Sequence, residues 1–148
     1  MSPLNEAAVQ GEPTVISPSK PRVLVVDDDQ DIRDSLELIL TDLGYDVILA
    51  KDGTAGMMRA ERDAPDLVIC DLMIPHRSGI AVLDNLKARK VRKLPVIMMS
   101  GSNEIRHQQM AEARGADGWL HKPFDVPHFL KVVGKLLPVG ECSTEATA

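Results

Sequence analysis

The sequence predicts an α/β fold, a doubly wound five-stranded parallel sheet with helices on both faces. Three observations predict it. Short β-branched runs alternate with stretches of helical periodicity, the runs are apolar on both faces, and five strand–helix units fit between Arg22 and Pro138. Strands alternating with helices of about 10–15 residues build parallel sheets through βα crossovers. A run apolar at every position, such as Val23-Leu24-Val25-Val26, suits a strand covered on both sides. Right-handed crossovers then favour an open sheet wound in both directions.

Strands are predicted at residues 23–26, 47–49, 67–69, 96–99 and, most weakly, 119–120. In the first helix Ile32, Leu36, Ile39 and Leu43 recur on one face, with Leu40 beside them. Residues 54–62 and 104–113 are more polar but free of proline, and are read as helices. Ile80, Leu83 and Leu86 mark another, and Val126, Leu130, Val133 and Leu137, joined by Phe129 and Leu136, mark the last. Residues 1–20 carry Pro3, Pro13 and Pro18 among small and polar residues, and 139–148 are likewise small and polar. Both ends are predicted to be disordered tails flanking one domain at 21–138.

A chain of 148 residues is the size of one domain, and 44% hydrophobic with 26% charged residues is ordinary for a globular protein. The net charge of −5 argues against a nucleic-acid partner. Cys70 lies in an apolar run and Cys142 in a polar tail, without metal or redox spacing, which suits a reducing compartment. No apolar stretch approaches the ~20 residues that span a bilayer, and no signal segment or prenylation site is present. The expectation is a cytoplasmic protein with no membrane partner.

In such sheets ligands bind beyond the carboxyl ends of the strands. Asp27, Asp28 and Asp29 follow the first strand, Asp71 the third, Ser100 the fourth and Lys122 the fifth. Carboxylate, hydroxyl and ammonium groups thus converge on one rim. Like charges near 4 Å repel by roughly 4 kcal/mol at an effective dielectric constant of about 20, and Mg²⁺, which takes oxygen ligands, relieves this. Helix capping is the competing reading of Asp27 to Asp29, with Asp29 or Asp31 as the cap. An EF-hand loop counted from Asp27 fails, with Ile32 where glycine is needed and Leu38 where a bidentate glutamate is needed. Ser100 beginning a turn and Lys122 as a solvated strand-end lysine are the corresponding plain readings of those residues.

These residues resemble the receiver domains of two-component response regulators, of the single-domain chemotaxis-regulator type, over about residues 22–137. The pieces are Val-Val-Asp-Asp at 25–28, Pro-Asp-Leu-Val-Ile-Cys-Asp-Leu-Met-Ile-Pro at 65–75, Gly79, Pro-Val-Ile-Met-Met-Ser-Gly at 95–101 and Lys-Pro-Phe at 122–124. The resemblance implies a flavodoxin-like sheet in the order 2-1-3-4-5 and a cis bond before Pro123. It implies that Asp71 is the phosphoacceptor and that Asp27, Asp28 and Asp71 hold Mg²⁺ with the backbone carbonyl of Met73. Ser100 and Lys122 would contact the phosphoryl group, and Ser100 and Trp119 would be the switch residues. A sensor histidine kinase or phosphotransfer protein would be the donor and a downstream protein the target. The chain would act as a monomer or a phosphorylation-dependent dimer, a switch and not a metabolic enzyme. A stand-alone receiver is expected, since no output domain fits after Pro138.

Three other readings share the sheet. A degenerate receiver would bind partners without phosphorylation, although Asp28, Asp71, Ser100 and Lys122 are all retained. A flavodoxin-like cofactor binder would need a Ser/Thr/Gly-rich loop where Asp27–Asp29 would repel phosphate. A phosphatase with a first-strand Asp-x-Asp nucleophile would leave Asp71 unexplained. Met73 puts a bulky apolar side chain near the phosphoryl entrance. Lys87, Arg89, Lys90, Arg92 and Lys93 read as a solvated helix end, and His76, His107, His121 and His128 as surface or packing residues.

Overall fold

A computed structural model describes residues 20–89 and 93–138. The predicted tails, Lys20 apart, and the middle of the basic run lie outside the described residues. Five strands alternate with five helices in chain order: β1 Arg22–Val26, α1 Gln30–Asp42, β2 Asp46–Ala50, α2 Gly53–Asp63 and β3 Leu67–Asp71. Then come α3 Gly79–Lys87, β4 Val96–Ser100, α4 Ile105–Ala113, β5 Gly118–His121 and α5 Val126–Leu136. All pairings are parallel and the sheet order is β2-β1-β3-β4-β5, as the resemblance implies. The sheet takes in Asp71 and Ser100 as the last residues of their strands, where the sequence places them just beyond.

Alternation along each strand divides the core in two. Leu24, Val26, Val68, Cys70, Val96 and Met98 face α2, α3 and α4, where Ala60, Val82, Leu83, Leu86 and Ala111 meet them. Val23, Val25, Leu67, Ile69, Ile97 and Met99 face α1 and α5, where Leu36, Leu40, Phe129 and Val133 close the other side. Each large apolar side chain fully buried this way contributes roughly 1.5–3 kcal/mol. Every residue of β3 and β4 is buried, which is why those runs show no polar alternation. The apolar stripes fray at helix ends: Leu43, the C-cap of α1, is 37% exposed and Val126, the first residue of α5, is 45% exposed. There the helix has passed the edge of the surface it packs on. No helix among the described residues is long and apolar enough to cross a membrane.

Helix starts are set by side-chain caps. Asp29, Asp52, Ser78 and Asp125 each accept from backbone N–H groups of the first turn. Opposite the strand ends that carry the acids, Asp117 Oδ2 accepts from Lys87 Nζ at 2.6 Å and from the Val96 amide at 2.9 Å. Lys87 Nζ also reaches the Leu94 carbonyl at 3.0 Å, so α3, the start of β4 and the start of β5 are tied together.

Gly79 opens α3 against the end of β3, its amide donating to Leu72 O at 3.0 Å. A Cβ there would stand 2.3 Å from the Asp71 carbonyl oxygen and 2.7 Å from Leu72 Cα. Backbone cannot yield that distance locally, whereas a Cβ on Gly134, inside α5, would meet nothing within 4 Å. Gly79→Ala is therefore expected to lower unfolding free energy by about 2 kcal/mol or more, and Gly134→Ala to raise it by about 0.5–1 kcal/mol. Urea denaturation of both variants checks the opposite signs.

Candidate functional site

The site forms where β1, β3, β4 and β5 end on the same rim. The Asp27 amide donates to Ala50 O at 3.1 Å, carrying the β1–β2 pairing one residue past the strand. This turns the Asp27 side chain inward, where it is fully buried, and leaves Asp28 exposed. Asp27 Oδ1 accepts from the Asp29 amide at 2.9 Å, and Arg33, in the first turns of α1, donates from Nη1 to the Asp27 carbonyl at 2.7 Å. Asp29 is the N-cap of α1, so capping holds for that residue and not for Asp27.

Asp71 is 6% exposed at the end of the central strand. Its Oδ1 accepts from the Met73 amide at 3.4 Å, and the Leu72 amide donates to Met99 O at 2.8 Å, fixing the turn out of β3. The Met73 side chain is 71% exposed. Lys122, after β5, donates from Nζ to Asp27 Oδ2 at 2.7 Å and to Asp71 Oδ2 at 3.2 Å. Its amide donates to the Ser100 carbonyl at 2.8 Å, and the Lys122–Pro123 bond is cis. Ser100 is fully buried, its Oγ accepting from the Ser102 amide at 3.0 Å. Trp119 is half-buried against the α2–α4 side of the core and lines a cleft with Ile105, Gln108 and His121.

One carboxylate oxygen from each of Asp27, Asp28 and Asp71 lies within 4.8 Å of the others. Three carboxylates beside one ammonium leave two negative charges uncompensated, and the electrostatics follow. Burial raises the Asp71 pKa above the usual carboxylate range and the Asp27 charge raises it further, with Lys122 and the Met73 amide opposing. Burial alone would lower the Lys122 pKa, but its hydrogen bond to Asp27 and the charges of Asp71 and Asp27 raise it overall. The thiol of Cys70, one residue before Asp71, is pushed well above its ordinary pKa by burial and by the Asp71 and Asp27 charges.

This donor set suits Mg²⁺: oxygen ligands only, excess negative charge, and an exposed Asp28 that leaves room for water. Asp27, Asp28, Asp71, Ser100 and Lys122 thus gather at one rim as their sequence positions suggest. Two contributors were not legible. Arg33 holds the Asp27 main chain and Ser102 engages Ser100 through its amide, and a backbone donor leaves no trace in residue type.

The comparisons with known proteins agree with this geometry. The family model of the response regulator receiver domain matches residues 23–134. The DNA-binding dual master transcriptional regulator RpaA of Synechocystis is 38% identical over 118 residues, covering 79% of this chain and 49% of that protein. The alkaline phosphatase synthesis transcriptional regulatory protein PhoP of Bacillus subtilis is 37% identical over 103 residues, 70% of this chain and 42% of that protein. Among solved structures, the chemotaxis response regulator CheY4 of Vibrio cholerae superposes with a TM-score of 0.74 at 30% identity, covering 80% of this chain and 99% of that one. The receiver domain of NtrX from Brucella abortus gives 0.73 at 35% identity, covering 78% and 97%. This chain spans about half or less of the curated relatives' length. Their names describe DNA-binding and transcriptional regulators, so the expectation of no nucleic-acid partner draws no support from them. With the sheet order, the acid-and-lysine rim and a family model spanning most of its length, the chain belongs to the response regulator receiver domain family.

Proposed function

We propose that this receiver takes a phosphoryl group on Asp71, in a Mg²⁺-dependent transfer from a sensor histidine kinase or phosphotransfer protein. The observation that carries the reading is Lys122 bridging Asp27 and Asp71 beside a three-carboxylate cluster. Asp27, Asp28, Asp71 and the Met73 carbonyl would hold the ion. When bound, Mg²⁺ supplies the positive charge that lets an anionic phosphoryl group approach an anionic carboxylate.

The remaining chemistry belongs to the side chains. A carboxylate oxygen of Asp71 attacks phosphorus in line. The P–N bond to the donor imidazole breaks, and the imidazole keeps the electron pair and takes up a proton. Lys122 and Ser100 donate to the equatorial oxygens, where charge is spread in the transition state. Water later attacks the acyl phosphate at phosphorus, releasing orthophosphate and restoring the carboxylate. Ser100 ends β4 and Trp119 lies in β5, and with α4 and α5 they form the face through which we read the signal passing to a downstream protein.

Radiolabelled acetyl phosphate with Mg²⁺ should label the wild-type chain and leave Asp71→Asn unlabelled. Lys122→Ala should slow labelling by roughly 10²-fold, as loss of a preorganised charge donor does. Labelling of Asp71→Asn at the wild-type level would end the reading.

A second expectation follows from the raised Asp71 pKa. A carboxyl whose pKa is higher folded than unfolded favours the fold while protonated, and this is lost as pH rises through the folded pKa. Asp71→Asn does not titrate. Without divalent ions it should therefore melt at a higher temperature than wild type at neutral pH, with the gap closing below the ordinary carboxylate pKa of about 3.9. Added Mg²⁺ should raise the wild-type melting temperature at neutral pH and narrow the gap. Calorimetry across that pH range reads both effects.

A further inference from the structure

The loop between β4 and α4 carries a polar chain that leads away from Ser100. The Ser102 amide donates to Ser100 Oγ at 3.0 Å, and the Glu104 amide donates to Ser102 Oγ at 3.1 Å. On the other side of the Ser102 hydroxyl stands His107 Nδ1 at 3.0 Å, from the first turn of α4. His107 Nε2 faces Glu104 Oε1 at 3.5 Å, and Arg106 Nε donates to the same oxygen at 2.7 Å. The Ser102 hydroxyl oxygen, which has two lone pairs and one proton, accepts from the Glu104 amide and still has a site left to bond His107 Nδ1, while Nε2 faces the Glu104 carboxylate. Arg106 draws the Glu104 carboxyl below its usual pKa, so that carboxylate is ionised where His107 meets it.

The loop needs this anchor. Alone among the five helices, α4 has an N-cap residue whose side chain makes no capping bond. Nothing lies within 4 Å of where a Gly101 Cβ would stand, so packing does not restrain the link between Ser100 and Ser102. His107 instead joins the first turn of α4 to this loop through the Ser102 hydroxyl. At the far end of the chain, Ser100 Oγ is buried and accepts from Ser102, while among the described residues its own proton has no acceptor. A hydroxyl with its lone pair engaged by an amide keeps its proton for an incoming anion.

We propose that His107 and Ser102 are positioning residues for phosphoryl transfer, a latch that orients the Ser100 hydroxyl toward the phosphoryl group. This rests on the reading of Asp71 as phosphoacceptor and adds to it two residues that touch neither phosphorus nor metal. The latch acts on a donor that serves both bond-making at Asp71 and hydrolysis of the product. It therefore changes both rates in the same direction.

The test uses the full chain with acetyl phosphate and Mg²⁺, following label uptake and then label loss. His107→Phe keeps an aromatic ring without a hydrogen-bonding atom, and His107→Asn restores a polar atom where Nδ1 stands. Ser102→Ala and Ser102→Thr form the matching pair. His107→Phe and Ser102→Ala should slow both uptake and loss by about fivefold, the scale of one mispositioned hydrogen bond. His107→Asn and Ser102→Thr should recover to within about twofold, and Mg²⁺ affinity should be unchanged in all four, since the carboxylates are untouched. Wild-type rates in His107→Phe, or a His107→Asn as slow as His107→Phe, would overturn the latch while leaving Asp71 as acceptor. A wild-type chain that takes no label would overturn the acceptor reading and the latch with it.

Discussion

Lys122 lies between two carboxylates that would otherwise face each other at the ends of neighbouring strands. Asp27 is fully buried and Asp71 nearly so, and losing the ammonium would leave two buried carboxylates uncompensated, a loss that typically costs about 3–5 kcal/mol. The rest of the molecule is arranged around that constraint. Parallel pairing brings β1, β3, β4 and β5 to one rim, the Asp27 amide extends the first pairing, and the Ser100 carbonyl fixes the backbone of Lys122. The single ammonium does not neutralise the cluster, and that shortfall is what would favour a dication at the rim. Stability and the proposed ion binding are therefore opposed at this site: the charge that would make it receptive also strains it.

The fold was legible because its strands are buried on both faces. Runs such as 67–71 and 96–100 contain almost no polar residue, and only a parallel sheet between two helical layers explains such runs in a chain this size. The site was legible because chemistry-bearing side chains follow those runs directly, so strand position and site position are the same information. The limits of the helical stripes were less legible. Leu43 and Val126 fit the 3.6-residue period, yet both stand at helix ends where the sheet no longer lies beneath them. Leu38, 73% exposed in mid-helix, lies off the stripe formed by Ile32, Leu36, Ile39 and Leu43.

His107 shows a different limit. Four histidines without ligand spacing read as surface or packing residues, and for His107 that reading is incomplete. Its partner Ser102 lies five residues earlier, in a loop whose conformation no periodicity describes. Such pairs become visible only with the backbone path, because the bond joining them to Ser100 is made by an amide common to every residue but proline.

Cys70 sits directly before Asp71, fully buried, with a thiol held protonated by its apolar surroundings and by the acids beyond it. Thiolate is the reactive form, so burial and the neighbouring acids both disfavour oxidation and alkylation of this sulfur while the sheet is intact. Its modification would report opening of the central strand itself. The proposed phosphoacceptor thus has, one residue away, a sulfur whose burial sets it apart from the solvent-facing chemistry of the rim.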